Sequence, residues 1–136
     1  MKKILILLLF TGILASCSDD DDAGVDNDGS QIIGTWYLQS VRPIGGSNLL
    51  DTCNQDSFIQ FNQDGSSVSE FYQSSDSECE LESENTGNWT YEGGDNYTFF
   101  LPYLDERTTG NVNFISENSF ILTTSDLPGF EVVFEK

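Results

Sequence analysis

Residues 32–41 read IIGTWYLQSV and hold the strongest β-strand signal in the chain. Branched and aromatic side chains dominate this stretch, and such residues favour the pleated, half-buried surface of a sheet. Pro43 and the pair Gly45-Gly46 follow directly, and both residue types interrupt a strand. The pattern therefore predicts a first strand that ends near residue 41.

Similar short signals recur along the rest of the sequence, with turn residues between them. Strands are predicted over residues 57–61, 67–73, 87–91, 96–101, 108–115, 119–124 and 129–135. The turns between them include 62–65, 92–95 and 116–118. Residues 74–86 have five acids and almost no apolar side chains, so we predict a loop there, held down at Cys79. Apolar spacing of the helical kind does not persist anywhere.

About eight short strands joined by tight turns indicate an all-β protein. We predict an antiparallel up-and-down meander that closes into a barrel, since closure removes the exposed edges of a β-rich chain. A two-sheet β-sandwich is the alternative, and the short turns disfavour its crossovers between sheets.

The amino-terminal residues predict export and a lipid anchor. Residues 1–16 have a basic start, an apolar run and small residues at the end, as a secretory signal peptide does. Residues 14–17, Leu-Ala-Ser-Cys, resemble the bacterial lipobox, which implies lipidation of Cys17 and attachment to a membrane. Residues 17–30 are acidic and predict a flexible tether, which leaves 31–136 as one folded domain.

The position of the acids also bears on location. Residues 18–21, Ser-Asp-Asp-Asp, look like the acidic signal that sends some Gram-negative lipoproteins to the cell surface. The expected location is therefore the outer membrane, with the protein lipid-anchored on its outer face. A plain signal-peptidase site followed by a soluble secreted protein is the alternative. The acids at 19–22 and 26–28 also offer oxygen ligands for calcium, although the helices and final glutamate of an EF-hand are missing.

Charge and composition exclude several classes of function. Without residues 1–16, which hold Lys2 and Lys3, the net charge of −18 becomes −20 over the remaining 120 residues. Such a field repels nucleic acid. The chain has no histidine, and so it lacks the commonest general base and metal ligand. We therefore expect no cofactor, no metal and no enzymatic activity; a carboxylate pair of the glycosidase type is the remaining catalytic possibility.

Two further cysteines, Cys53 and Cys79, would meet an oxidising environment after export. A disulfide between them is the prediction, and closing a loop of roughly 27 residues would stabilise the fold by about 3.5 kcal/mol. A zinc site lacks further ligands, and a redox pair usually has the spacing C-x-x-C.

The order of several motifs resembles the small lipocalin-like lipoproteins of Gram-negative bacteria. These motifs are the lipobox, the acidic tether, Gly34-Thr35-Trp36, the hairpin 58–65 of the form F-x-x-F-N-x-D-G, and Gly87 with Trp89. The resemblance covers about residues 32–135. It implies that Gly34 and Trp36 form the floor of a barrel and that an arginine packs on the tryptophan, for which Arg107 is the nearest choice.

The resemblance also implies a function in binding. We expect a small apolar or glycan-derived ligand at the open end of the barrel, with Tyr37, Tyr72, Tyr91 and Tyr103 as its lining. The alternative is an accessory subunit of an envelope protein complex that docks through its acidic surface. Salt would weaken such docking, because exposed charges are screened within about 8 Å at physiological ionic strength.

Overall fold

The computed structural model describes residues 28–104 and 106–136. Nine strands are present there: β1 Gly34–Pro43, β2 Phe58–Phe61, β3 Ser66–Ser75, β4 Glu78–Asn88, β5 Thr90–Gly93, β6 Asn96–Phe100, β7 Arg107–Ser116, β8 Ser119–Thr124 and β9 Phe130–Glu135. Two one-turn 3₁₀ helices, Ser30–Ile32 and Asn54–Asp56, precede β1 and β2. The predicted signal peptide 1–16, Cys17 and the tether up to residue 27 lie outside the described residues.

All nine strands belong to one antiparallel sheet, in the order β4-β3-β2-β1-β9-β8-β7-β6-β5. Most neighbours in the sheet are also neighbours along the chain, and β1 additionally pairs with β9, where Val41 faces Val132. The predicted all-β up-and-down meander is confirmed. The alternative of two packed sheets does not hold, because one sheet contains every strand of the described ranges.

The predicted closure into an eight-stranded barrel is wrong. β4 and β5 are the two edges of the sheet, and no ladder joins them within residues 28–104 and 106–136. The reason is local, because only Trp89 separates these strands along the chain. Two residue steps span at most about 7 Å, so the end of β4 lies close to the start of β5. At this corner β5 continues from β4 and does not pair beside it.

Side chains make contacts near the corner where β4 and β5 are not paired. The indole of Trp89 donates to the carbonyl oxygen of Asn62 at 2.8 Å, and its backbone N–H donates to that of Gly65 at 2.9 Å. Nearby, the ring of Phe100 in β6 lies over Gly87 in β4, where a β-carbon would stand 2.7 Å from Cε2 of the ring. The curled sheet is therefore held together at its seam by aromatic packing.

The loop predicted over residues 74–86 is wrong as well, since most of it forms β4. Asp76 and Ser77, with φ of 48° and 72°, make the tight turn, and β4 then pairs with β3 from Glu78 to Asn88. The inward positions of β4 are Ser83, Asn85 and Gly87, which explains why its sequence shows no apolar alternation. Its acids at 78, 80, 82 and 84 are exposed, and charge on an edge strand discourages pairing with other chains.

The core fills the sheet around its first strand. In β9, Val132 and Phe134 are buried as predicted, while Glu135 is exposed. Trp36 packs edge-on to Phe120 with 4.7 Å between ring centroids, and Phe61 packs on Phe99 at 5.0 Å. Fully buried members of the core are Ile32, Trp36, Leu38, Ile59, Phe99, Leu101, Phe120, Leu122 and Phe134. In the part of the chain that the structure describes, no helix has the length and apolar character needed to cross a membrane.

Candidate functional site

One end of the curled sheet, which we call the floor, is closed around Trp36. The indole N–H of Trp36 donates to the carbonyl oxygen of Ile32, so the short 3₁₀ helix is fixed beneath the ring. The Nζ atom of Lys136 lies 4.4 Å from the centroid of the Trp36 ring. A β-carbon on Gly34 would stand 3.3 Å from Cε of Lys136, so the glycine leaves room for the lysine chain.

The cation at the floor therefore differs from the one that the resemblance implied. Lys136 takes the place assigned to Arg107, while Gly34 and Trp36 lie where they were expected. Arg107 begins β7, pairs with Phe100 in the ladder, and lines a surface pocket with Leu104 and Asp126. Lys136 is brought to Trp36 because its backbone N–H donates to Asn118 at 3.0 Å, which carries β9 past the β7–β8 turn.

The residues before β1 complete the floor. The hydroxyl of Tyr97 lies 3.5 Å from the carbonyl oxygen of Gly29 and donates to it. A β-carbon on Gly29 would collide with the Tyr91 side chain at 2.6 Å, so the chain passes here only because residue 29 has none. Burial is the main cause that raises the pKa of Tyr97 to about 12, and Tyr91 and Asp95 make smaller contributions to the same shift.

The opposite end of the sheet holds an apolar cleft of about 220 Å³. Its lining consists of Val41, Leu49, Leu50, Phe71 and Tyr103, which come from β1, the β1–β2 loop, β3 and the loop after β6. Leu49 is 64% exposed. Because two loops and two strands supply side chains to the same point, the cleft offers an apolar surface to a molecule from solution.

A second cavity of about 310 Å³ adjoins the cleft and shares Phe71 and Tyr103 with it. Gln73, Glu82 and Ser83 complete its lining. This cavity lies on the inner side of β3 and β4, at the β4 edge of the sheet. Together, the cleft and the cavity, hereafter the binding region, have the size range of small-ligand sites.

The β1–β2 loop is held rigidly at the cleft. The side-chain oxygen of Asn48 accepts from the backbone N–H groups of Val41 and Leu50, both at 3.1 Å. The backbone N–H of Leu49 donates to the carbonyl oxygen of Val41 at 2.9 Å. These bonds fold the loop back on β1, so that Leu49 and Leu50 are fixed at the rim.

Further along, the same loop is tied to β3 and β4. The predicted disulfide Cys53–Cys79 is confirmed, with 5.3 Å between the α-carbons. Asp51 accepts from the backbone N–H of Asn54 at 3.0 Å and from the hydroxyl of Ser74 at 2.8 Å. These hydrogen bonds, that of Asn54 first, hold the pKa of the Asp51 carboxyl below its ordinary value.

Tyr103 is the predicted lining residue that the structure places in the binding region. Its ring packs against Phe71 with 5.5 Å between centroids. Its backbone has φ of 75°, a left-handed conformation that costs a residue with a β-carbon about 1–3 kcal/mol. Burial raises the pKa of its hydroxyl above the ordinary value.

The other three predicted tyrosines lie elsewhere. Tyr37 is 43% exposed on the outer face of β1, beside Phe58. The hydroxyl of Tyr72 donates to Glu70, and that of Tyr91 donates to the carbonyl oxygen of Gly94 near the floor. Of the four tyrosines, one therefore lies in the binding region. Successive residues of a strand face opposite sides of the sheet, so register and bulges decide whether a tyrosine faces inward or outward.

Leu49 and Leu50 were not among the predicted lining residues. The available signal was an apolar pair within the polar stretch between Gly46 and Cys53. Among residues 28–104 and 106–136, no group of three or more Cys, Asp or Glu side chains is placed to hold a metal ion. The binding region thus offers apolar surface and hydrogen-bonding groups.

Comparison with known proteins agrees with this architecture. The family model of the lipocalin-like domain matches residues 32–126. No curated protein and no solved structure matches the chain significantly. The matched range begins just before β1 and takes in β1–β8 together with all of the residues that line the cleft. The chain therefore belongs to the lipocalin-like domain family.

Proposed function

We propose that this protein is a lipid-anchored lipoprotein of a Gram-negative outer membrane, which binds a small apolar or glycan-derived ligand in the binding region. The family is associated with ligand binding or scaffolding at a general level. The observation that carries the proposal is the apolar cleft lined by Val41, Leu49, Leu50, Phe71 and Tyr103. No catalytic step, cofactor or nucleic acid is part of it.

The architecture of the cleft supports binding. The core occupies the floor end, so that a ligand has room at the opposite end, where the cavity adjoins the cleft. The Asn48 hydrogen bonds fix the apolar rim before any ligand arrives. A site that is already ordered loses less conformational entropy on binding, which favours affinity.

An apolar fluorescent probe tests ligand binding directly. N-phenyl-1-naphthylamine should bind the mature protein, and Leu49→Asp should weaken binding at least about tenfold, because it puts a charge on the apolar rim. Ile115→Asp is the matched control, since Ile115 is equally exposed, at 60%, but lies in β7 next to Phe114, which packs on Trp36. Equal affinity of both variants and the parent protein would contradict ligand binding at the cleft.

The proposed location is supported by the sequence of residues 1–30 and by the disulfide. Disulfides persist in oxidising compartments, and the Cys53–Cys79 bond is therefore consistent with export. The test is labelling of growing cells with radioactive palmitate. Label on the parent protein and its loss in Cys17→Ala is the expected result, whereas an unlabelled parent protein would refute the anchor. Proteolysis of intact cells distinguishes the outer surface from the inner leaflet.

The exposed acids of β4 favour one second candidate, an accessory subunit that docks on an envelope protein complex. Glu78, Glu80, Glu82 and Glu84 are all exposed along this edge strand and make it negatively charged. Docking through it would weaken steeply as salt rises. Retention of the complex at high salt, or after substitution of all four acids by glutamine, would exclude this mode of docking.

A further inference from the structure

The inner face of the β3–β4 pair carries several polar side chains. Ser69 faces Asn85 across the ladder, and Phe71 faces Ser83. Ser69 is 1% exposed. We call Ser69, Ser83 and Asn85 the polar wall. Ser83 reaches the cavity, and the pair Ser69–Asn85 lies one step deeper on the same face.

The polar wall is unusual because its polar atoms lack partners. Oγ of Ser69, Oγ of Ser83 and Nδ2 of Asn85 are buried and make no hydrogen bond within the protein. The hydroxyl of Tyr103, which also lines the cavity, is buried and unpartnered too. More than nine in ten buried polar groups in proteins are hydrogen-bonded, so four exceptions, of which Ser83 and Tyr103 line one cavity, require an explanation.

A bound ligand would explain why these polar atoms have no partner within the protein, provided that it carries matching hydrogen-bonding groups. The amide nitrogen of Asn85 needs an acceptor, while the hydroxyls of Ser83 and Tyr103 can donate or accept. A tyrosine hydroxyl is protonated at neutral pH and can therefore donate, and burial raises the pKa of Tyr103 above its ordinary value. A molecule that carries several hydroxyl or ether oxygens satisfies all of these groups together.

Charge narrows the class further. Glu82 lines the cavity, which disfavours an anionic ligand. The cations of the described residues lie elsewhere: Arg42 pairs with Glu131 at 3.2 Å, Lys136 covers Trp36, and Arg107 lines another pocket. The ligand should therefore carry no negative charge.

Phe71 and Tyr103 line both halves of the binding region, so one molecule can reach the polar wall and the apolar cleft together. We propose that the ligand is an uncharged amphiphile of the glycoside type, whose hydroxylated part lies against the polar wall and Tyr103 while its apolar part fills the cleft. This inference rests on the proposed binding function and adds the ligand class and its orientation.

Calorimetry with phenyl β-D-glucoside, phenyl β-D-galactoside and the anion phenyl phosphate tests the ligand class. At least one glycoside should bind the mature protein, and the phosphate should bind more weakly than that glycoside. Tyr103→Phe and Ser83→Ala should each weaken glycoside binding about three- to tenfold, the usual effect of one hydrogen bond. Ser83 does not line the apolar cleft, so Ser83→Ala should leave the affinity for N-phenyl-1-naphthylamine unchanged, and Tyr103→Phe should weaken binding of this probe less than it weakens binding of the glycoside. Tyr37→Phe removes a hydroxyl from the outer face and should change neither affinity.

The outcomes separate this inference from the proposed function. If the apolar probe binds but no glycoside does, the ligand class is wrong and binding at the cleft stands; if neither binds, both fail. Equal weakening of both probes by Tyr103→Phe would show a packing role and overturn the hydrogen-bonding one. In the ligand-free protein, both substitutions should raise the melting temperature, because each removes an unpartnered buried group. A fall in melting temperature for both would show that the hydroxyls already have partners.

Discussion

The ammonium group of Lys136 lies 4.4 Å from the centre of the Trp36 ring, at the floor of the sheet. Trp36 is fully buried on its other sides, and so the lysine covers the one face that the core leaves open. A cation over an indole contributes about 0.5–1 kcal/mol at an exposed site. Lys136→Met, which keeps the aliphatic chain, should lower the free energy of unfolding by this amount in urea titrations followed by tryptophan fluorescence.

Lys136→Arg is the control for this contact, because it keeps the charge over the ring and should retain most of the stability. An unchanged free energy of unfolding in Lys136→Met would show that the lysine stabilises the floor by packing alone.

The contact of Phe100 with Gly87 predicts an unusual response to alanine. In most strand positions alanine is tolerated better than glycine, but at 87 its β-carbon would stand 2.7 Å from the Phe100 ring. Overpacking of this kind costs about 1–3 kcal/mol. Gly87→Ala should therefore lower the melting temperature, and Phe100→Leu in the same chain should restore part of the loss. A stabilising Gly87→Ala would mean that the seam is looser than described.

Removal of the disulfide should affect stability and ligand binding together. The bond joins residues separated by 26 positions, and its loss should cost about 3.5 kcal/mol. Because Cys53 lies in the loop that carries Leu49 and Leu50, the double variant Cys53→Ala/Cys79→Ala should also bind the apolar probe more weakly. Reducing agent should lower the melting temperature of the parent protein and leave that of the double variant unchanged; equal sensitivity of the two would contradict this role.

Alkaline pH should destabilise the fold through Tyr97. Its pKa rises from 10.0 to about 12 in the folded protein, chiefly because of burial. Between these values the native state keeps a proton that the unfolded chain has lost, so stability is complete below pH 10 and falls as pH rises towards 12. The slope is about 1.4 kcal/mol per pH unit for one retained proton. Tyr97→Phe should flatten the decline in urea titrations across this range, and an identical decline would refute the assignment.

The sequence predicted the order of most strands because their inner faces are apolar. Phe130, Val132 and Phe134 in β9 alternate with residues that face outward, and this pattern is visible without a structure. β4 has no such pattern, since its inward residues are Ser83, Asn85 and Gly87. Pairing with β3 across the turn at Asp76 and Ser77 makes it a strand, because strand formation depends on the neighbouring strand as well as on residue type. The polar residues at the inward positions of β4 explain why the strand was not predicted, and two of them, Ser83 and Asn85, belong to the polar wall.

Residue identity alone could not settle the long-range contacts. Trp36 was predicted to carry a cation from Arg107, yet the cation over its ring is Lys136, because the register of β9 against β1 decides which side chain reaches the ring. Of the binding region, Tyr103 was predicted, whereas Leu49 and Leu50 lie in a loop whose path depends on the side chain of Asn48. Closure was wrongly predicted for a similar reason, since pairing of the two edges depends on the path of the chain at Trp89, between β4 and β5.

The floor and the cleft lie at opposite ends of β1, with Trp36 and Val41 about 17 Å apart along the strand. Gly29, where the described chain begins to pack against Tyr91 and Tyr97, is on the floor side. The described part of the chain thus begins at the floor end of the sheet. If the protein is attached to a membrane at the floor end, the cleft would face away from that membrane. A ligand would then reach Leu49 directly from solution.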